Sequence, residues 1–141
     1  LESIESYKNI PNTTLSFNYV VQNTNIHQMA DFADAVAPYS VWWILLNNPQ
    51  YLSTTVIPLS ARADIIKKLQ PLLDTTSKHR EQFNTLTSIM NELTNNVDMD
   101  KEMYKQFIEY SAALDKLRNQ SLLDVAPHLI TEEGKRIYGS V

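Results

Sequence analysis

Two runs decide how this chain folds: Thr14-Leu15-Ser16-Phe17-Asn18-Tyr19-Val20-Val21-Gln22 and Val41-Trp42-Trp43-Ile44-Leu45-Leu46-Asn47. Both are rich in the β-branched and aromatic residues that suit a pleated surface, and no other part of the chain reads as a strand. The first alternates, with Leu15, Phe17, Tyr19 and Val21 on one face and Ser16, Asn18, Val20 and Gln22 on the other. The second is apolar on both faces from Val41 to Leu46, the pattern of a strand covered on both sides in a parallel sheet. It is therefore expected in an interior.

Between the strands, Ile26, Met29, Ala30, Ala33, Val36 and Ala37 share one helical stripe, while His27, Asp31 and Asp34 point away. Asn25 with Gln28 three residues on has the form of a capping box, and Pro38 ends the helix. Strand, helix and strand make one βαβ unit. Two parallel strands are too few to enclose a core alone, so the unit reads as part of something larger.

Residues 4 to 10 read as a helix end or short turn closed by Pro11-Asn12, and the stretch from Asn47 to Pro58 as an extended loop. Everything after it reads as helix. Ser60 is placed to cap a helix carrying Ile65, Ile66 and Leu69, which Pro71 kinks or ends. A second helix, about Ser77 to Leu93, places Phe83, Leu86, Met90 and Leu93 on one stripe. A third, capped by Asp98 or Asp100, does the same with Met103, Phe107, Tyr110, Leu114 and Leu117. The last two are expected to pair as an antiparallel hairpin across Thr94 to Val97. Glu132 to Arg136 reads as a frayed final turn. The fold class is α/β and helix-rich, with residues 1–58 as the βαβ portion and 59–141 as a helical tail packed on it in one structural unit.

The 141 residues suit one domain, with 43% hydrophobic and 20% charged residues. A net charge of -4 and a pI near 5.3 argue against a sequence-independent grip on nucleic acid or anionic lipid. The longest apolar run, Val41 to Leu46, falls far short of the roughly 20 residues that cross a bilayer. The first residues lack the basic and apolar pattern of a signal peptide, and a cytoplasmic location is expected. The sequons at Asn12 and Asn119 are read as chance.

The chain has no cysteine, hence no disulfide, thiolate nucleophile or iron-sulfur ligand of its own. His27, His79 and His128 are isolated in the sequence and read as surface residues. Asn96, Asp98 and Asp100 imitate the start of an EF-hand loop, but Lys101 and Phe107 stand where its glycine and glutamate belong, so they are read as helix caps. No phosphate loop or GxSxG elbow is present in the sequence. Trp42 and Trp43 are assigned to packing. Amides mark the carboxyl ends of the strands, where α/β sheets and barrels bind ligands: Gln22, Asn23 and Asn25 after the first, Asn47 and Asn48 after the second. Asn18 and Gln22 are expected to look into a barrel interior. The competing assignment makes Asn25 a cap and Asn47-Asn48-Pro49 a turn.

The run Leu15-Ser16-Phe17-Asn18-Tyr19-Val20-Val21-Gln22-Asn23-Thr24-Asn25-Ile26 resembles a late strand and helix start of the radical SAM enzymes, particularly members with a SPASM or twitch-type extension. The resemblance continues through Asn48-Pro49-Gln50-Tyr51-Leu52-Ser53 and Ile57-Pro58-Leu59. It returns at Phe107-Ile108-Glu109-Tyr110, Leu114 to Ser121 and Pro127. It implies a partial (β/α)6 barrel in which a 4Fe-4S cluster, held by a CxxxCxxC loop, cleaves S-adenosylmethionine. With no cysteine, this chain lacks that loop, and the resemblance makes it the carboxyl-terminal portion: inactive alone, without a cofactor of its own, and of unknown substrate. By the same resemblance Asn18, Gln22, Asn23 and Asn47 are the candidate contacts to S-adenosylmethionine or substrate. A different class competes, a helical interaction or adaptor module whose residues 77 to 119 dock a partner. Either expects completion of the strands by a homo-oligomer or by a missing amino-terminal half, with no nucleic acid and no membrane.

Overall fold

The computed structural model describes residues 4, 6–7, 10–76, 80–95 and 98–141. Strand β1 (Ser16–Val21) leads through a 3-10 turn (Ile26–Gln28) into helix α1 (Met29–Val36) and strand β2 (Ser40–Leu45). Two more 3-10 turns, Gln50–Leu52 and Thr54–Val56, precede helices α2 (Leu59–Thr76), α3 (Arg80–Thr94) and α4 (Lys101–Arg118). A single-turn helix α5 (Leu122–Val125), a 3-10 turn (Pro127–Leu129) and helix α6 (Glu132–Ser140) complete the chain. The strands pair in parallel, Ser16 opposite Ser40 through Val21 opposite Leu45, in a two-stranded sheet. One core runs from Val21 and Ile26 through Leu69 and Leu86 to Phe107 and Leu129, joining the βαβ unit to the helices. Among the described residues, no helix is long and apolar enough to cross a membrane.

The alternation of β1 is realised. Phe17, Tyr19 and Val21 face the core, and Phe32 of α1 packs on the first two, at ring-centroid distances of 6.1 and 4.8 Å. Trp43 of β2 meets Tyr19 edge-on at 5.4 Å. The expected two-sided cover of β2 is not found. Val41 and Trp43 are each 6% exposed, but Trp42 is 42% and Ile44 45% exposed. Across from them Ser16, Asn18 and Val20 are exposed too. The sheet thus buries one face, leaves the other bare, and gives each strand one edge with no strand neighbour among the described residues.

The helical tail differs from expectation in how its helices pair. The hairpin forms between α2 and α3, while α4 packs mainly on α6 and on the turns at 50–56. The reason is a rotation of about one residue in α4. Its buried stripe is Tyr104, Phe107, Ile108 and Ala112, whereas Tyr110 is 43% and Leu117 86% exposed. Asp100 is the cap, accepting from the backbone N–H groups of Glu102 (3.0 Å) and Met103 (3.1 Å). Pro71 does not end α2, which continues to Thr76. The missing N–H costs about 3 kcal/mol, and the buried Ile65 and Leu69, with Leu72 and Leu73 packed on the same core, outweigh it. Residues 77–79, including His79, and residues 96–97 of the expected hairpin turn lie outside the described set, as does part of the 4–10 segment.

Other boundaries also move. Helix α2 starts at Leu59, so Ser60 sits within its first turn. Asn25 makes no capping bond. Its side chain instead ties the end of β1, accepting from Gln22 N–H and donating to Val20 O, both at 2.9 Å. The loop from Asn47 to Pro58 is ordered by its two 3-10 turns and buries Thr54, Val56 and Ile57.

The final segment is a capped helix, where a frayed turn was expected. Thr131 Oγ1 accepts from Gly134 N–H at 3.1 Å, and the Tyr104 hydroxyl donates to Leu129 O (3.1 Å) and accepts from Thr131 N–H (2.8 Å). A Cβ at Gly134 would lie 3.2 Å from Tyr104 Cζ, nearer still to its hydroxyl, and 3.3 Å from Ile130 Cγ2. Gly134→Ala is therefore expected to destabilise by about 1–3 kcal/mol, although alanine gains up to about 1 kcal/mol of helix propensity. A urea midpoint that rises in the variant would contradict this.

Candidate functional site at the carboxyl end of strand β2

A cleft of about 630 Å³ opens just past the end of β2, the position at which α/β sheets place ligands. Five parts of the chain build its walls. Leu45, Leu46 and Asn47 form the strand end, and Gln50, Ser53, Thr54 and Thr55 come from the 3-10 turns. Arg62 comes from α2, and Glu92 and Asn95 from the end of α3. Asp98, Asp100 and Met103 come from the start of α4.

Arg62 organises these walls. It is 6% exposed, and its Nε–H donates to Ile57 O at 3.0 Å while Nη1 donates to Asn95 O at 2.9 Å. The fork geometry of guanidinium lets one side chain join two carbonyls that diverge. Its charge also lies beside the carbonyl end of α3, where the helix dipole favours a cation. Ser53 Oγ accepts from Thr55 N–H at 3.2 Å, closing the second turn. Thr54 is 1% exposed, and its hydroxyl has no hydrogen-bond partner. With amides, hydroxyls and carboxylates and no histidine in its lining, the cleft is built to hydrogen-bond a polar ligand. Periodicity cannot identify Arg62, because its acceptor Asn95 O lies 33 residues away in the sequence.

The four residues singled out in the sequence do not converge. Asn47 lines this cleft. Asn18 is exposed on the bare sheet face, in a shallow depression with Trp42, Ile44, Gln82 and Thr85. Gln22 lines a separate cleft of about 580 Å³ with Leu52, Tyr110 and Leu122. Asn23 is 1% exposed and ties the strand end to the first 3-10 turn. Its Nδ2 donates to Tyr51 O at 3.1 Å and its N–H to Leu52 O at 2.9 Å, while its Oδ1 is buried without a partner.

The fold also makes a pair that the sequence reading treats as isolated. His27 and His128 meet edge to face with ring centroids 4.7 Å apart, and His27 Nδ1 is buried without a hydrogen-bond partner. Burial pushes the His27 imidazole below its ordinary value, helped by the charges of His128 and Lys68 and opposed by Asp31. Burial and then Lys68 lower His128, opposed by Asp64. No group of three or more His, Cys, Asp or Glu side chains among the described residues is placed to hold a metal ion.

Compared with protein-family models, curated proteins and solved structures, the chain finds no match.

Proposed function

We propose that the chain is the carboxyl-terminal portion of a radical-SAM-like enzyme of unspecified substrate, contributing two strands and a helical tail to the wall of a partial β/α barrel. The observation that carries this reading is the one-sided cover of a parallel pair. Helix and core lie on the Phe17, Tyr19 and Trp43 face, while Asn18, Val20, Trp42 and Ile44 are bare on the other. A barrel wall has this asymmetry, with helices outside and an interior face filled by residues of other strands. The polar cleft beyond β2 is at the end of the wall where barrels carry their sites.

The chain's own residues do not fit an iron-sulfur cluster, since it has no cysteine. In this reading its contribution is to bind and position, through Asn47 in the cleft and Gln22 beside it, with Asn23 holding the strand end in place. Peptide mapping of the native polypeptide tests the assignment. A longer product with a CxxxCxxC segment upstream supports it, and a native chain starting near Leu1 overturns it. In the complete protein, Gln22→Ala or Asn47→Ala should lower turnover about tenfold with folding intact, the loss of one hydrogen bond worth roughly 1.4 kcal/mol.

The second reading, a helical interaction module, is favoured by the exposure of Tyr110, Leu117 and Val125 along α4 and α5. It does not use Phe107, which is 1% exposed and belongs to the core.

A further inference from the structure

We propose that His27 and His128 form an acid-released latch that holds the carboxyl-terminal segment against the βαβ unit, closed while the His27 ring is neutral and opened when it gains a proton. His27 lies in the turn that leads into α1, and His128 in the turn at 127–129. Both turns pack on α2, so the rings meet where the two ends of the fold are joined.

The geometry opposes a proton on His27 in two ways, while His128 is exposed at the surface. An imidazolium donates from both ring nitrogens, but His27 Nδ1 is buried with no acceptor, so a proton there would be a charged donor shut away from water. A second positive ring 4.7 Å away would repel the first. The charges facing the pair are mixed. Lys68 on α2 adds to the repulsion, and Asp64 on α2 and Asp31 on α1 oppose it. The neighbouring α5, packed on the 127–129 turn, carries the exposed Asp124.

The direction of the pH effect follows. Both imidazoles lie below their ordinary value of 6.5 when the latch is closed, so the open form binds more protons. The closed form has its full stability above that value and loses it as pH falls below.

The test uses the native polypeptide that carries this chain, wild type and His27→Gln. Imidazole titrations are followed by NMR, and amide exchange across residues 122–141 at about pH 7.5 and about pH 5.5. Both rings should titrate below 6.5. The carboxyl-terminal amides of the wild type should lose protection several-fold at the lower pH, and those of the variant should keep theirs. Rings that titrate at the ordinary value, or a variant that loses protection as the wild type does, would overturn the latch. If the variant does not fold, the wild-type exchange decides, and unchanged protection of residues 122–141 between the two pH values overturns the latch.

Discussion

Trp43→Ala is expected to lower the unfolding free energy by about 3–5 kcal/mol, as loss of a large buried aromatic does. Trp42→Ala, one residue earlier on the same strand, should cost less than about 1 kcal/mol, as at an exposed site. The two indoles differ only in the face they occupy. Trp43 is 6% exposed and packs edge-on against Tyr19, which in turn meets Phe32. Trp42 is 42% exposed on the bare face, beside Asn18 of β1 in the register. Urea denaturation of the two variants measures the difference, and equal costs would mean that both faces are covered. The comparison also bears on the proposed function. In a polypeptide that completes a barrel, other strands would fill the space over Trp42, and its substitution should there become as costly as that of Trp43.

The same two residues show what was legible in the sequence. Composition identified β2 as a strand and the intervening helix made it parallel to β1, because both are local properties of the chain. Its burial was not legible. Residues apolar on both faces state what the strand needs, and among the described residues Trp42 and Ile44 stay 42% and 45% exposed. Helices α1 to α4 were anticipated, but α5, the length of α6 and the pairing were not. Met103 and Tyr104 are adjacent, so a stripe beginning at either satisfies the apolar spacing. Contact with α6 and the 50–56 turns chose Tyr104. Of the two outcomes offered for Pro71, the ending of the helix is the one that fails, because core contacts on both sides of the proline continue it.

For the site, only Asn47 at the end of β2 was legible as part of the main cleft, through the general rule on strand ends. Asn23 was singled out at the same strand end, where its Nδ2 is tied to Tyr51 O. The meeting of His27 with His128 has no local signature at all. It depends on two turns reaching α2 from opposite ends of the chain.

Arg62→Met should destabilise by about 2–4 kcal/mol, because hydrogen bonds from a charged donor are worth roughly 1.5–3 kcal/mol each and their removal strands buried acceptors. Methionine keeps most of the apolar stem, so the loss reports the guanidinium rather than packing. The acceptors are Ile57 O, at the end of the loop after β2, and Asn95 O, just past α3. Asn95 lines the main cleft, and one planar fork joins it to the end of the loop that supplies Thr54 and Thr55. Arg62→Lys should recover less than half of the stability, since a single ammonium on a flexible stem does not reproduce the fork. The effect is also expected to be local before it is global. Amide exchange in Arg62→Met should accelerate first around residues 54–57 and 93–95, with the Phe17, Tyr19 and Trp43 cluster still protected. Uniform acceleration across the chain would mean that Arg62 supports the whole core. No change at either wall would mean that the cleft keeps its shape without it.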